Sequence, residues 1–353
     1  MCLGISIYLS EPESFNSNWI EKCAKNGFQY IFTSLHIPEE KDERITFTKK
    51  VKNLGDIAQT VHMDVMADLS PASLERLGLE FQELPILKEW GITGVRLDYG
   101  FTAKQIAWLS HFLKVGLNAS TIDADQLKEL VNEGLDTSQA EACHNFYPKP
   151  FTGISKLALR ERNEMFHRYG MKTMAFIPGD QKLRGPLQER LPTIEDHRNI
   201  TPLESALELK ELGTDKICAG DISLSDHSVQ ELNYLTEQVI LIYVKFRKNY
   251  QSFYHTVHTN RLDAAQYVIR SATSREKNNQ YKPESYTDDY FNEGDITVDN
   301  MLYGRYSGEL QICLQRLPAN KKVNCAGKVC KESKPLLKFI RGGRKFILLP
   351  KDC

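Results

Sequence analysis

The chain has 353 residues, of which 41% are hydrophobic and 26% charged, and its formal net charge is −1. A length above about 300 residues favours two domains, and this balance of apolar and charged residues is typical of a globular protein. A net charge near zero gives no general attraction to nucleic acid or to a membrane surface, so we expect neither as a partner. The chain starts without the pattern of a signal peptide and has no apolar run of membrane-spanning length, so we expect a cytoplasmic location.

Eight cysteines raise the question of a metal site or a disulfide framework. No two of them form a C-x-x-C motif, and the close pair Cys325 and Cys330 has no second cluster in the sequence to complete a zinc site. We therefore expect structural or incidental thiols.

Apolar, β-branched runs alternate with stretches of helical periodicity over the first two thirds of the chain. The predicted strands are 3–8, 30–34, 64–67, 94–97, 115–117, 141–145, 172–177 and 216–219. The predicted helices are 17–26, 43–60, 70–77, 102–112, 123–133, 155–169, 201–212 and 228–234. Eight strand-then-helix units in about 235 residues match the size and alternation of a TIM (β/α)8 barrel.

The pattern changes near residue 238. Strands are predicted at 239–244, 265–271, 310–314 and 345–349 without long helices between them, and 274–299 is polar and rich in turn residues. This predicts an α/β chain in which a TIM barrel, residues 1–238, is followed by a smaller, mainly β domain, residues 239–353.

In a TIM barrel, catalytic and binding residues come from the loops that follow the strands. The polar residues at these positions that we select as substrate-binding candidates are Asp68, Asn118, His144, Asn145, Tyr147 and Asp221. A helix cap fits Asp68 as well as a binding role does, and a turn position fits Asp221 as well as a binding role does. Asp98 lies at the end of a buried strand, where a carboxylate needs a partner or a function.

The segment 179–198 is long for a connection between a strand and a helix, and it is rich in Gly, Pro and charge, which favours a functional loop. Its cations, Arg184 among them, suit a phosphorylated or carboxylated substrate, and Glu189 and Glu195 add carboxylates. A solvated charged loop is the alternative.

Several of these segments together resemble one known family. They are ADLSP at 67–71, RLDYG at 96–100, NAST at 118–121, HNFYP at 144–148, RGPL at 184–187 and LPTIEDHR at 191–198. As a set they resemble the bacterial 6-phospho-N-acetylmuramidases, a family long described as outer-surface-protein-like. The resemblance runs from residue 1 to about 350 and includes YGRYSGELQI at 303–312.

The resemblance implies a TIM-barrel glycosidase domain followed by a cyclophilin-like β domain. It also implies hydrolysis of the β-1,4 bond of 6-phospho-N-acetylmuramyl-N-acetylglucosamine, in peptidoglycan recycling and amino sugar metabolism, without a metal or nucleotide cofactor. Arg190 follows Glu189 where relatives are expected to carry Gly, and a bulky cation there is expected to narrow the choice of substrate.

A glycosidase needs two carboxyl groups, about 5 to 5.5 Å apart for retention of anomeric configuration or about 6.5 to 9.5 Å for inversion. Asp98 is the first candidate for the nucleophile or base, and Glu189 or Glu195 for the acid. The substrate's own 2-acetamido group offers a substrate-assisted alternative, so the mechanism stays open.

Three other functions fit the same residues: a different 6-phospho-glycosidase, a phosphosugar-binding sensor, and a metal-dependent aldolase or isomerase with Asp68, Asp98, His144 and Asp221 as ligands. In the second domain, Arg305 within RYSGE at 305–309 is a substrate-binding candidate, with a purely structural strand start as the alternative. The expected partner is a small phosphosugar disaccharide, and the oligomeric state, including a homo-oligomer, stays open.

Overall fold

The computed structural model describes residues 2–35, 43–97, 99–277, 281–285 and 288–352. The chain divides into two compact units, the first ending at Asn233 and the second beginning at Tyr234. Within the described residues, no helix combines the length and the apolar character needed to cross a membrane.

The first unit is a closed barrel of eight parallel strands that pair in chain order. The strands are β1 Cys2–Ile7, β2 Tyr30–Ser34, β3 Asp64–Leu69, β4 Gly94–Leu97, β5 Lys114–Asn118, β6 Ala140–Cys143, β7 Lys172–Ile177 and β8 Lys216–Ala219. β8 pairs with β1, which closes the barrel. The predicted TIM barrel is confirmed.

Helices follow the strands of the barrel. They are α1 Glu13–Lys25, α2 Arg44–Thr60, α3 Pro71–Leu77, α4 Ala103–Leu109, α5 Ala124–Asn132, α6 Lys156–His167, α7 Pro202–Glu211 and α8 Asp226–Thr236. Several begin where the sequence supplies a side-chain cap: Thr102, Asp123 and Ser155 each accept a backbone N–H from the first turn of the next helix. A 3-10 helix, Phe81–Lys88, precedes β4 and was not predicted.

Alternate residues of each strand face the barrel axis. The middle of the barrel is filled by an apolar cluster that includes Phe32, Met66, Cys143 and Phe176. Gly116 makes room beside β4, because a Cβ atom there would lie 3.0 Å from the Cβ of Arg96. The space beside Gly116 therefore accommodates the large side chain of Arg96.

The strands of the second unit are β9 Val239–Phe246, β10 Val257–Thr259, β11 Val268–Arg270, β12 Tyr290–Phe291, β13 Asp295–Asp299, β14 Leu310–Cys313, β15 Leu317–Pro318, β16 Val323–Val329 and β17 Lys345–Pro350. They form a seven-stranded sheet in the order β10-β17-β9-β16-β13-β14-β11 and a two-stranded sheet of β12 and β15. The connections include 3-10 helices at Lys248–Phe253, Ser274–Lys277, Met301–Tyr306 and Lys331–Phe339. The predicted mainly β second domain is confirmed.

Two expectations about the second unit are wrong. The segment 274–299, in which no strand was predicted because it is polar and rich in turn residues, contains β13, a strand paired on both sides with β14 and β16. Asp295 and Asp299, at the two ends of β13, are polar but buried. Because Asp is common in turns, the sequence pattern favoured a turn over a strand here. Cys330 is disulfide-bonded and is therefore not a free thiol.

Candidate functional site

The carboxyl end of the barrel carries a buried polar network centred on Arg96. Its Nη1 lies 2.7 Å from Asp68 Oδ1, and its Nη2 donates a hydrogen bond to Asn145 Oδ1. Arg96 is 3% exposed and Asp68 6%, so water screens this ion pair poorly. The neighbouring strands β3 and β4 are thereby joined, at the mouth of the barrel, to the residues after β6.

Asn118 belongs to the same rim. Its Oδ1 accepts the backbone N–H of Ser120 at 3.0 Å, and Ser120 Oγ accepts the backbone N–H of Asn145 at 2.9 Å. The structure thus brings together three of the predicted binding residues, Asp68, Asn118 and Asn145. Arg96, which connects Asp68 and Asn145, stands among the polar residues at the strand ends in the sequence but was not chosen as a site residue, although a charged residue inside the buried run of β4 was the available signal.

Asp98, the sequence-based candidate for nucleophile or base, lies outside the described residues. Its role stays a prediction.

His144 does not belong to this site. Successive strand residues point to opposite faces, and His144 points away from the barrel axis, where its Nε2 donates to Asn163 Oδ1 of α6 at 2.9 Å. Asn163 in turn donates to the carbonyl of Leu212. Burial lowers the pKa of His144 to about 4, so the ring is neutral and ties the barrel wall to its helices. The prediction that His144 contacts substrate is not supported.

Tyr147 lies at the rim with a half-buried side chain. Its backbone N–H donates to Pro192, and its carbonyl accepts from Arg198 Nη2 at 2.9 Å. The loop after β6 is therefore hydrogen-bonded to the loop after β7.

Asp221 anchors the long loop after β7. Its carboxylate is 1% exposed and accepts the backbone N–H groups of Gly179, Arg184 and Leu191 at 2.8, 3.0 and 3.0 Å. Three internal donors leave this carboxylate little capacity for a ligand, so a direct substrate contact by Asp221 is not supported. The metal-dependent alternative loses two of its four proposed ligands. His144 faces the helices, and the Asp221 carboxylate is already occupied by three backbone N–H groups.

Arg184 is held by that anchor at the rim. Its guanidinium carbon lies 5.1 Å from the ring centroid of Tyr8 and 5.7 Å from that of Phe146. In the described parts of the chain no carboxylate pairs with this guanidinium. A half-buried cation supported by two aromatic rings and lacking an internal anion is a suitable partner for an anionic ligand.

Glu195 has a different role from the predicted one. Its Oε1 accepts the N–H of Phe151 at 2.8 Å, its Oε2 accepts the N–H of Gly153 at 2.8 Å, and Arg198 donates to both oxygens at 2.7 and 2.9 Å. These bonds, led by Arg198, lower the pKa of Glu195 to about 2. A carboxyl group held ionised in this way is unsuited to donate a proton, so Glu195 is a poor candidate for the catalytic acid.

Arg198 completes this connection. Its guanidinium also donates to the carbonyl oxygens of Tyr147, Lys149, Glu189 and Arg190. We refer to the Glu195–Arg198 ion pair and its backbone partners as the rim clasp. It fastens the loop after β6 to the loop after β7.

Glu189 and Arg190 lie at the edge of the rim clasp. The Glu189 side chain is exposed, and within the described residues its carboxylate accepts no hydrogen bond. Arg190 has φ +62°, a backbone conformation that Gly adopts most readily. Its guanidinium donates to the carbonyls of Arg198 and Ile200, so it is directed toward the backbone of its own loop.

Arg305 lies in the second unit, in the 3-10 helix Met301–Tyr306. Its Nη2 donates to Tyr306 Oη at 2.9 Å, and the guanidinium lies 4.9 Å from the Tyr306 ring centroid. The side chain is exposed, and a ligand role for it stays a prediction.

The chain matches two family models, described as the N-terminal and C-terminal parts of 6-phospho-N-acetylmuramidase, over residues 3–234 and 240–349. A conserved Enterococcus faecalis protein of unknown function is 36% identical, with 99% of this chain and 97% of that chain covered and a TM-score of 0.86. An uncharacterised B. cereus protein is 26% identical, with 99% of both chains covered and a TM-score of 0.79. None of the curated proteins matches. Because the two models span nearly the whole sequence, the chain belongs to the 6-phospho-N-acetylmuramidase family.

Proposed function

We propose that this protein is a glycoside hydrolase that cleaves the β-1,4 bond of 6-phospho-N-acetylmuramyl-N-acetylglucosamine in cell-wall turnover and recycling. The observation that carries the proposal is Arg184, a half-buried guanidinium at the rim of a barrel of this family that pairs with no carboxylate of the described residues. The 6-phosphate of the muramyl sugar is its proposed partner.

The surroundings of Arg184 support phosphate binding. A guanidinium presents a planar set of N–H donors that fits two phosphate oxygens at once. The Asp221 carboxylate fixes the Arg184 backbone, and the rings of Tyr8 and Phe146 support the side chain. A cation positioned before the ligand arrives loses less conformational entropy on binding.

The polar network around Arg96 suits the sugar. Asp68 and Asn145 are held in place by Arg96, and we propose that these side chains, with Asn118 and Tyr147, orient the sugar ring over the barrel mouth. Side chains locked by buried hydrogen bonds position a substrate more accurately than mobile ones.

In the two-carboxyl mechanism of glycoside hydrolysis, one carboxyl group protonates the leaving oxygen and a second attacks the anomeric carbon or deprotonates water. We propose Glu189 as the acid, because its carboxyl group is uncommitted among the described residues, and Asp98 as the nucleophile or base. If Asp98→Asn keeps turnover within about tenfold of the wild type, the second role passes to Asp68.

The test of the proposal compares the phosphorylated disaccharide with its unphosphorylated form. Arg184→Ala should raise KM for the phosphorylated form by about tenfold or more, because a charge-assisted bond contributes roughly 1.5 to 3 kcal/mol. The unphosphorylated form should be a poor substrate for both proteins and show no further loss. Arg160→Ala, which removes an exposed arginine from α6, is the matched control. It should change neither the KM for the phosphorylated disaccharide nor the cleavage of the unphosphorylated one.

Three results would contradict the proposal in different ways. An unchanged KM in Arg184→Ala removes this residue from phosphate binding. Intact disaccharide after a single-turnover reaction at high protein concentration indicates a phosphosugar-binding protein. Faster cleavage of another 6-phospho-glycoside assigns the hydrolase a different substrate.

A further inference from the structure

Phe151 combines two unfavourable features in one residue. Its side chain is 93% exposed, and its φ is +67°, where a bulky residue is rare. It lies in a turn in which Thr152 Oγ1 donates to the carbonyl of Lys149 at 2.6 Å. A left-handed residue that follows Pro in a turn is normally Gly. The exposed ring of Phe151 therefore adds nothing to the core, and Gly would adopt this backbone conformation with less strain.

The surrounding structure nevertheless fixes this residue firmly. The N–H of Phe151 and the N–H of Gly153 each donate to Glu195 at 2.8 Å, and Arg198 holds Glu195 in place. Strained residues that their surroundings over-determine in this way are typical of ligand contacts. The rim clasp thus holds an aromatic ring out in solvent.

The same clasp connects Phe151 to the proposed phosphate site. Arg198 bonds the carbonyls of Glu189 and Arg190 in the loop that carries Arg184, as well as those of Tyr147 and Lys149 in the loop that carries Phe151. Both loops leave the carboxyl end of the barrel, after β7 and β6. Phe151 and Arg184 are therefore mounted on one hydrogen-bonded framework at the rim.

An exposed aromatic ring on the rim of a glycosidase has an evident partner. The C–H groups on one face of a pyranose ring form an apolar patch that packs against an aromatic ring. Arg184, half-buried between Tyr8 and Phe146, is the proposed partner of the phosphorylated sugar. The far more exposed Phe151 is then available to contact the second, unphosphorylated sugar of the disaccharide.

We propose that Phe151 is the stacking platform for the leaving sugar, the N-acetylglucosamine of the disaccharide. This inference rests on the proposed function. The inference assigns a specificity-determining contact to the N-acetylglucosamine, which lies on the other side of the β-1,4 bond from the phosphorylated sugar.

The test uses Phe151→Ala in the full-length protein and measures KM for the phosphorylated disaccharide together with inhibition by each product. KM and the inhibition constant of N-acetylglucosamine should both rise about two- to tenfold, the range of an aromatic contact. The inhibition constant of 6-phospho-N-acetylmuramic acid should not change. Phe151→Trp should keep wild-type values.

Two further variants separate binding from folding. Phe151→Gly should keep Tm at or above the wild-type value, because Gly adopts the left-handed conformation without strain, while KM rises as in Phe151→Ala. Phe112→Ala removes another exposed aromatic ring, located just before β5 at the opposite end of the barrel, and should leave KM unchanged.

The possible results distinguish this inference from the proposed function. Wild-type KM and wild-type inhibition by N-acetylglucosamine in Phe151→Ala overturn the stacking role and leave the hydrolase intact. A wild-type protein that does not cleave the disaccharide overturns the proposed function itself. Dissociation of an oligomer in Phe151→Ala, with KM unchanged, assigns the ring to self-association and also overturns the stacking role.

Discussion

Glu189 and Glu195 belong to one loop, but their surroundings give the two carboxyl groups opposite properties. The Glu189 side chain is exposed and uncommitted among the described residues, whereas Glu195 accepts four hydrogen bonds. The sequence could not distinguish them as acids, because two of the four donors to Glu195 are backbone N–H groups, of Phe151 and Gly153, that lie far away in the chain. The spacing of Glu195 and Arg198, three residues apart, was the one local signal of an ion pair.

The pKa of Glu195 predicts how stability changes with pH. Its folded-state pKa of about 2 lies below the ordinary value of 4.5, so the folded protein binds this proton less readily than the unfolded chain. The contribution to stability, up to about 3 kcal/mol, is present above about pH 4.5 and is lost as the pH falls toward about 2. Glu195→Gln should therefore be less stable than wild type at pH 7, and the difference should shrink in acid.

Urea unfolding of both proteins at pH 7 and pH 3 measures this difference. Glu189→Gln is the control and should have the same unfolding free energy as the wild type at both pH values. If the difference in unfolding free energy between Glu195→Gln and wild type is the same at pH 7 and pH 3, the charge of Glu195 contributes nothing to stability.

His144 and Asn145 show why neighbouring residues were hard to separate from the sequence. The prediction ended β6 at Asn145, but the strand ends at Cys143, and the alternation of side chains continues beyond it. Asn145 consequently meets Arg96, while His144 meets Asn163. Both residues are polar and follow the same strand, so the sequence favoured a functional role for each. Only the direction of each side chain shows that Asn145 belongs to the site and His144 does not.

At the scale of elements, the long loop after β7 is fixed at several points. Asp221 accepts three of its N–H groups, and Asp180 accepts from Ser225 and Ser228 at the start of α8. Lys182 pairs with Glu11 at 2.5 Å. Length and charge predicted a functional loop, but they carried no information on these anchors, which join residues distant in sequence.

Asp221→Asn should loosen this loop. The Asp221 oxygen Oδ2 accepts the N–H groups of Gly179 and Leu191, and an amide nitrogen in its place would leave both donors unsatisfied. We expect a loss of about 1 to 3 kcal/mol per N–H group and faster hydrogen exchange across 179–191. KM for the phosphorylated disaccharide should rise as well, because Arg184 loses its support.

Asp226→Asn is the matched control for that experiment. Asp226 is exposed and pairs only at the surface with Lys22, so its loss should cost about 0 to 1 kcal/mol. Wild-type hydrogen exchange across 179–191 in Asp221→Asn would show that this carboxylate does not hold the loop.

At the scale of the whole molecule, the sequence predicted the barrel better than the second unit. Each barrel strand pairs with the next one in the chain, so local periodicity determines the topology. In the second unit, β13 lies between β14 and β16, and β9 lies between β17 and β16. Burial raises the pKa of Asp299, at the end of β13, to about 7, and such a buried carboxyl group resembles a turn residue when only the sequence is read.

The closed barrel predicts that residues 1–238 fold without the rest of the chain. Its eight strands leave no open edge, and the interior contains its own apolar cluster. This fragment should give a mixed α/β circular dichroism spectrum and one cooperative thermal transition. A fragment ending at residue 214 lacks β8, leaves β1 and β7 unpaired at one edge, and should not fold.

A non-cooperative transition in the 1–238 fragment would contradict this expectation. The circular dichroism signal of the shorter fragment sets the baseline for an open, unfolded barrel.

The rim clasp also limits how new specificities can arise in this barrel. Replacing the loop after β6 alone would remove the partners of Glu195, and replacing the loop after β7 alone would remove the carboxylate that holds the Phe151 turn. Either exchange leaves polar groups without partners. The two loops therefore constitute one transferable module, and recombination or engineering that alters substrate choice has to carry segments 147–153 and 189–198 together.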